Sequence, residues 1–255
     1  MTILQSLILG IVEGITEFLP ISSTGHLILA SKFLHIGQSN FTKSFEIIIQ
    51  FGAILSVIVL YGKSFLNAEI LKKILVAFIP TGIIGFALYK AVKTYLIGNE
   101  NLVLWVLFLG GVALIIFEFR HKPASAESDI TRISYKQSFF IGICQSVAMI
   151  PGVSRSAATI IGGLFLGLNR KTIVEFSFLL AVPTMLGATS LDLAKNAGAF
   201  SKDQFLVLAV GFIVSFAVAI ASIKFLLNFI KKHNFVPFGI YRILLAVIFW
   251  LVVLN

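Results

Sequence analysis

The chain has 255 residues, of which 58% are hydrophobic and 12% charged, against about 25% charged in an ordinary soluble domain. A mean hydropathy of +1.01 and apolar runs recurring along the whole length exclude a soluble globule and a disordered chain, and runs without alternation exclude a β-barrel. The net charge of +9 does not indicate nucleic acid, because Lys and Arg stand in short clusters between apolar runs and not on a solvated face. The single cysteine, Cys144, leaves no intrachain disulfide. The first apolar stretch carries Glu13 and Glu17 instead of the basic start of a cleavable signal peptide.

In chain order, residues 3–36 form two short apolar stretches around a polar break, Pro20-Ile21-Ser22-Ser23-Thr24-Gly25. Three spans of bilayer length are predicted at about 44–62, 74–90 and 101–118. The longest polar connection, 119–136 with Pro123 and Ser125, reads as a linker without chemistry. Residues 137–168 repeat the first pattern around Pro151-Gly152-Val153-Ser154-Arg155-Ser156, and three more spans are predicted at about 173–191, 204–223 and 239–254. Short helix, break and short helix is the pattern of a re-entrant hairpin, whose irregular backbone is tolerated at membrane depth only when buried or lining a cavity.

The two broken regions align at an offset of 132: Gln5, Ser6, Gly10, Ile11, Ser22, Phe33 and Leu34 meet identical residues at Gln137, Ser138, Gly142, Ile143, Ser154, Phe165 and Leu166. Coincidence of both breaks makes a duplication the better reading. Three spans per half is an odd number, so the halves take opposite orientation. The predicted fold is an all-α polytopic membrane protein, an inverted-topology repeat of six transmembrane helices plus two re-entrant helical hairpins. Repeat 1 covers 1–118, the linker 119–136 and repeat 2 137–255.

Charge counting orients it. The loops at 63–73, 119–136, 169–172 and 224–238, taken with Arg242 just inside the last span, carry 13 Lys and Arg, against six opposite: Lys32, Lys43, Lys90, Lys93, Lys195 and Lys202. By the positive-inside rule the first set is cytoplasmic, both termini face outward, and the hairpins enter from opposite sides to meet near the midplane.

Arg155 belongs to neither set. A charge at the centre of a spanning helix costs about 2.5–3.5 kcal/mol on insertion scales, which makes Arg155, Glu13 and Glu17 functional candidates; a structural ion pair between hairpins is the plain alternative. Glu13 and Glu17, four apart, share a helical face where like charges repel, so together they need a cation, a metal ion or a shared proton. Ser22, Ser23, Thr24 and Gly25 fall at the start of the second short helix, where free N–H groups favour an anion. Ser154, Arg155 and Ser156 hold the same place in the other hairpin, with Thr159 on the same face. Such hydroxyls are also plain N-caps. Two helix N-termini, a guanidinium and these hydroxyls make a phosphate cradle. His26, three residues after Ser23, is placed to reach its hydroxyl as a base.

The runs Glu13-Gly14-Ile15-Thr16-Glu17-Phe18-Leu19-Pro20-Ile21-Ser22-Ser23-Thr24-Gly25-His26 and Pro151-Gly152-Val153-Ser154-Arg155-Ser156-Ala157-Ala158-Thr159 closely resemble the two signature motifs of the bacterial undecaprenyl-pyrophosphate phosphatase, or bacitracin-resistance, family. The similarity extends along the chain and includes Phe45-Glu46 and Glu175-Phe176-Ser177-Phe178-Leu179-Leu180; Ala157 stands where the family often has Gly. The resemblance implies an enzyme of the bacterial inner (cytoplasmic) membrane that hydrolyses undecaprenyl pyrophosphate to the monophosphate and inorganic phosphate. Such an enzyme recycles the lipid carrier for peptidoglycan and confers bacitracin resistance. It also implies an outward-opening (periplasmic) site, a divalent cation, Mg²⁺ or Ca²⁺, and functional residues Glu13, Glu17, Ser23, His26 and Arg155, supported by Ser22, Ser154, Ser156 and Thr159.

On both lines of argument Glu13 and Glu17 hold the cation or orient His26, and Arg155 with the break N–H groups holds phosphate oxygens. Attack by Ser23, or by water directly, completes hydrolysis, and the sequence fits both routes. The expected partners are a polyprenyl pyrophosphate and membrane lipids, with no nucleic acid; oligomeric state is left open, a homodimer included. The competing class is a transporter, a lipid-carrier flippase or small-anion exchanger, since inverted repeats with broken helices are common there. A purely structural subunit leaves the buried charges unexplained.

Overall fold

A computed structural model describes residues 1–37, 39–91, 96, 99–121, 129–196 and 202–253. Residues 122–128 of the expected linker, Pro123 and Ser125 among them, and Lys93 lie outside the described residues. Among the described residues the chain has α-helices and no strand. In order they are α1 Ile3–Thr16, α2 Ser23–Phe33, α3 Asn40–Phe65, α4 Ala68–Ala91, α5 Glu100–Arg120, α6 Tyr135–Ser146, α7 Arg155–Phe165, α8 Arg170–Asn196, α9 Lys202–Phe229 and α10 Val236–Val253. Among the described residues, four stretches are long and apolar enough to cross a membrane: Asn40–Phe65, Ala68–Leu88, Glu100–Arg120 and Gln204–Phe229. The two other expected spans fall on α8 and on α10, whose described apolar part, Val236–Leu251, is shorter. Large apolar side chains are exposed on this surface, among them Phe86 at 90%, Leu66 at 85% and Phe165 at 82%.

The two broken regions are built alike. Thr2 caps α1 in a reciprocal box with Gln5, and Ser134 caps α6 in the same box with Gln137, satisfying orphan N–H donors at both starts. Each glutamine then donates from Nε2 to the far end of its own hairpin, Gln5 to the Leu34 carbonyl at 3.2 Å and Gln137 to the Leu166 carbonyl at 3.1 Å. Both second helices are 11 residues long. Ser22 and Ser154 cap them by accepting from the N–H groups of Gly25 and Ala157.

Each hairpin's first helix docks on a long helix from the other half of the sequence, α1 on α9 and α6 on α4. Small residues permit this close approach. A Cβ on Gly10 would meet the Gly211 carbonyl oxygen at 2.8 Å and one on Gly14 the Ser215 carbonyl oxygen at 2.7 Å, while Gly142 faces the Ala77 carbonyl in the same way. The remaining main contacts, α3 with α9 and α8, α4 with α8, and α5 with α10, surround the breaks. Behind them sits a core in which Phe18, Phe176 and Phe178 are fully buried, with Phe18 edge-on to Phe178 at 5.2 Å.

One expectation is corrected by the fold. Arg242, assigned from sequence to the cytoplasmic charge set, is 2% exposed and binds backbone at both breaks. Its place near the start of α10 resembled a topology marker; packing of α10 on α5 carries it inward instead. Without it the charge asymmetry is 12 to six, of the same sign.

Candidate active site

Ser23 and Arg155 are the first residues of α2 and α7, the same register of the two hairpins, 132 residues apart. The first-turn N–H groups of both helices are free of intrahelical partners there, which suits an anion. The first break is strained: Ser22 has φ 72° and ψ 91°, a conformation costing a non-glycine residue about 1–3 kcal/mol. In the second break the bend falls on Gly152, at φ +94° with the Val103 carbonyl oxygen 2.8 Å from where a Cβ would stand, so glycine is required twice over.

Glu17, at the end of α1, joins the two helix starts. Its Oε2 accepts from Ser23 Oγ at 2.5 Å, and its Oε1 accepts from Arg155 Nη2 at 2.8 Å. Arg155 also donates from Nη1 to the carbonyl and hydroxyl oxygens of Ser177 on α8, at 2.9 and 3.2 Å, and its buried Nε has no partner. A nucleophile bonded to a carboxylate that is itself oriented by a third group has the logic of a catalytic triad. Glu13, one turn earlier and fully buried, has its carboxyl beside that of Glu17, and neither of its oxygens receives a hydrogen bond.

His26 is placed differently from the sequence expectation. Its Nδ1 lies 2.8 Å from the Ser22 carbonyl oxygen; a carbonyl only accepts, so Nδ1 carries the proton. In the neutral ring Nε2 is then the acceptor, and the Tyr241 hydroxyl donates to it at 2.8 Å. The ring is engaged away from Ser23 Oγ, whose proton goes to Glu17.

A cavity of about 160 Å³ opens at the junction, lined on this side by Glu17, Ser22, Ser23, Thr24, Ser154 and Arg155. Ser156, Thr159 and Gly25, also expected as phosphate ligands, are not among its lining residues, while Ser154 is. Ser156 Oγ donates to the Phe18 carbonyl at 2.8 Å, which stitches the second hairpin to the first break. Ser154 Oγ reaches the Leu19 carbonyl at 3.5 Å, and Thr159 Oγ1 pairs with Ser177 Oγ at 2.6 Å. Gly25 is buried against Leu107 and offers backbone only.

Sequence reasoning missed Ser177, Tyr241 and the clamp role of Arg242. Arg242 donates to the carbonyls of Leu107 at 3.3 Å, Val106 at 3.2 Å, Gly152 at 3.1 Å and Pro20 at 3.5 Å, thus holding α5 and both breaks in one grip. The signal for it was present, since Arg242 is a charge inside an apolar run, the same criterion that singled out Arg155.

Residues 6–248 match the family described as bacitracin resistance protein BacA. A protein of Sulfurihydrogenibium sp. (strain YO3AOP1) named undecaprenyl-diphosphatase is 54% identical over 252 residues, 98% of this chain and 99% of its own length. Proteins of the same name from Persephonella marina and Aquifex aeolicus are each 52% identical, over 100% and 98% of both chains respectively. With relatives aligned end to end and both signature runs converging on one cavity, this chain belongs to the bacitracin resistance protein BacA family.

Proposed function

We propose that this protein is a membrane phosphatase that hydrolyses undecaprenyl pyrophosphate to undecaprenyl phosphate and inorganic phosphate, as its relatives' name states of them. The observation that carries the catalytic reading is the chain Ser23–Glu17–Arg155, a hydroxyl, a carboxylate and a guanidinium in continuous hydrogen-bond contact at two helix N-termini. Incoming pyrophosphate competes with Glu17 for Arg155, which turns to the phosphate oxygens and offsets charge developing in the transition state. Glu17, relieved of its ion pair, becomes a better acceptor for the Ser23 proton. Ser23 Oγ then bonds to the terminal phosphorus, the bond from that phosphorus to the bridging oxygen breaks, and polyprenyl phosphate leaves. Water cleaves the phosphoserine in a second step, the Ser23 proton returns from Glu17, and phosphate departs.

Glu13 and Glu17 fit a hard divalent cation, Mg²⁺ or Ca²⁺. The Glu13 oxygens are buried without a donor, and an ion held there by one or two carboxylates would need water and substrate phosphate to complete its shell. Bound there, it would neutralise part of the charge of both carboxylates and the pyrophosphate.

We further propose that the fold is an inverted repeat of six spans and two re-entrant hairpins in the inner membrane, both termini outward and the site open to the outer face. Support comes from the reciprocal docking of α1 on α9 and α6 on α4, and from the 12 to six charge asymmetry. The functional test is phosphate release from a defined polyprenyl pyrophosphate in detergent, where transport is impossible. Release by the parent and loss of about 10³-fold or more in Ser23→Ala, with a phosphoserine trapped by rapid quench, is the expected result. Parent-like release by Ser23→Ala would transfer the attack to water.

A further inference from the structure

The same cavity is lined as well by Gln145 on α6, Thr81 on α4 and Thr184 on α8, with Met149 and Met185. Gln145 is 1% exposed. Its Nε2 lies 2.9 Å from Thr81 Oγ1 and 3.2 Å from Thr184 Oγ1. Each threonine hydroxyl already donates to a backbone carbonyl, Thr81 to Gly142 at 3.0 Å and Thr184 to Leu180 at 2.9 Å. Both hydroxyl protons are thus committed, and the hydroxyls can only accept from the amide. That fixes which way round the amide stands, a choice otherwise open. Its Oε1 is left buried with no hydrogen-bond donor.

A buried carbonyl oxygen without a donor is unfavourable, so an occupant that donates a hydrogen bond is favoured there. A pyrophosphate oxygen carrying charge would be repelled there, and the wall around Gln145 is made of Thr81, Thr184, Met149 and Met185, with Glu17 the one acidic residue among the described residues of the cavity lining. At the hairpin offset of 132, Gln145 also stands at the register of Glu13, so the acceptor side of the site is contributed by both hairpins.

We infer that Gln145 Oε1 holds the hydrolytic water, accepting one of its protons and aiming its oxygen at phosphorus. This rests on the phosphatase reading. In the step it serves, the water oxygen bonds to the terminal phosphorus and the phosphorus bond to the leaving oxygen breaks. The leaving oxygen is Ser23 Oγ if a phosphoserine forms, or the bridging oxygen if water attacks directly. If a phosphoserine forms, Ser23 Oγ recovers the proton that Glu17 holds and the water's second proton stays with the phosphate; if water attacks directly, that proton passes through Glu17 to the bridging oxygen.

The test is Gln145→Met in the full-length protein in detergent, with a defined polyprenyl pyrophosphate and methanol added as a competing nucleophile. Methionine keeps the volume and takes no acceptor from either threonine hydroxyl proton, since those remain on the Gly142 and Leu180 carbonyls. Expected are a kcat lower by about tenfold with KM within about twofold, and a raised ratio of methyl phosphate to phosphate, because water has lost its positional advantage. Thr81→Val, which removes only a support of the amide, should lower kcat less. An unchanged product ratio, whether or not kcat falls, overturns the inference, because a merely structural role slows both nucleophiles alike. So does an unchanged kcat. Absence of phosphate release by the parent protein is a separate outcome that would defeat the phosphatase reading itself.

Discussion

Arg155 and Glu17, separated by 138 residues in sequence, form an ion pair at 2.8 Å with side chains 9% and 2% exposed, and it is the direct charged link between the two hairpins. Removing one partner of a buried pair leaves an uncompensated charge and costs about 3–5 kcal/mol, whereas replacing both with apolar groups is often near neutral. Arg155→Met and Glu17→Met should each lower the unfolding temperature in detergent, and the double variant should recover most of that loss. Phosphate release should stay abolished in all three, because in the proposed mechanism the pair is also the phosphate clamp and the base. A double variant that regains turnover along with stability would reduce the pair to a structural bridge.

On the proposed reading, Glu13 offers a way to separate the cation from the acid–base chemistry. It touches neither Ser23 nor Arg155 in the hydrogen-bond network, and both its oxygens lack a donor. Glu13→Gln should therefore raise the Mg²⁺ or Ca²⁺ concentration needed for half-maximal rate by about tenfold or more, with residual activity at saturating cation. Glu17→Gln, by contrast, should not be rescued by added cation. A cation titration of phosphate release in both variants checks this, and equal cation dependence in parent and Glu13→Gln would remove Glu13 from the ion.

The helices and the site's charged members were legible because polar residues in apolar runs are costly and therefore visible. The duplication offset also located both hairpins and placed Ser22 over Ser154. What escaped was whatever depended on a third element crossing the hairpins. Arg242 and Tyr241 lie on α10, whose distance in sequence from either break conceals that it packs against α5 beside them. The partner of Ser23 was misjudged for a related reason. Local spacing favoured His26, but the bend at Ser22 turns the ring toward Tyr241 and leaves Glu17 facing the hydroxyl. Gln145 was masked by its neutrality, although reading the offset for unlike polar residues, Glu13 against Gln145, would have exposed it.

Tyr241 fixes the His26 ring. Its hydroxyl donates to Nε2 at 2.8 Å, while Nδ1–H is anchored on the Ser22 carbonyl at 2.8 Å, so the histidine braces the strained residue before Ser23. Tyr241→Phe should lower kcat by about three- to tenfold with little change in thermal stability, and His26→Ala should lower it further, because it frees Ser22 as well. Kinetics of phosphate release in both single variants and the double variant test this. Because Tyr241 acts through His26, the double should match His26→Ala, and additive losses would show that Tyr241 acts on its own.

Arg242 donates from one guanidinium to four carbonyls, two on α5 and one in each break, with Pro20 and Gly152 as the break residues. Lysine cannot reproduce that fork: its single ammonium reaches fewer acceptors and is more strongly hydrated. Arg242→Lys should therefore lower the unfolding temperature and also let the α2 and α7 starts drift apart, so that Ser23 and Arg155 no longer address one phosphate. Since misplacement by about 1 Å can cost 10²-fold in rate, kcat should fall by about that factor even well below the melting temperature. Phosphate release and thermal unfolding measured on the same preparation separate the effects. A variant that melts early yet turns over at the parent rate when folded would show that Arg242 holds the fold without setting the spacing of the two hairpins.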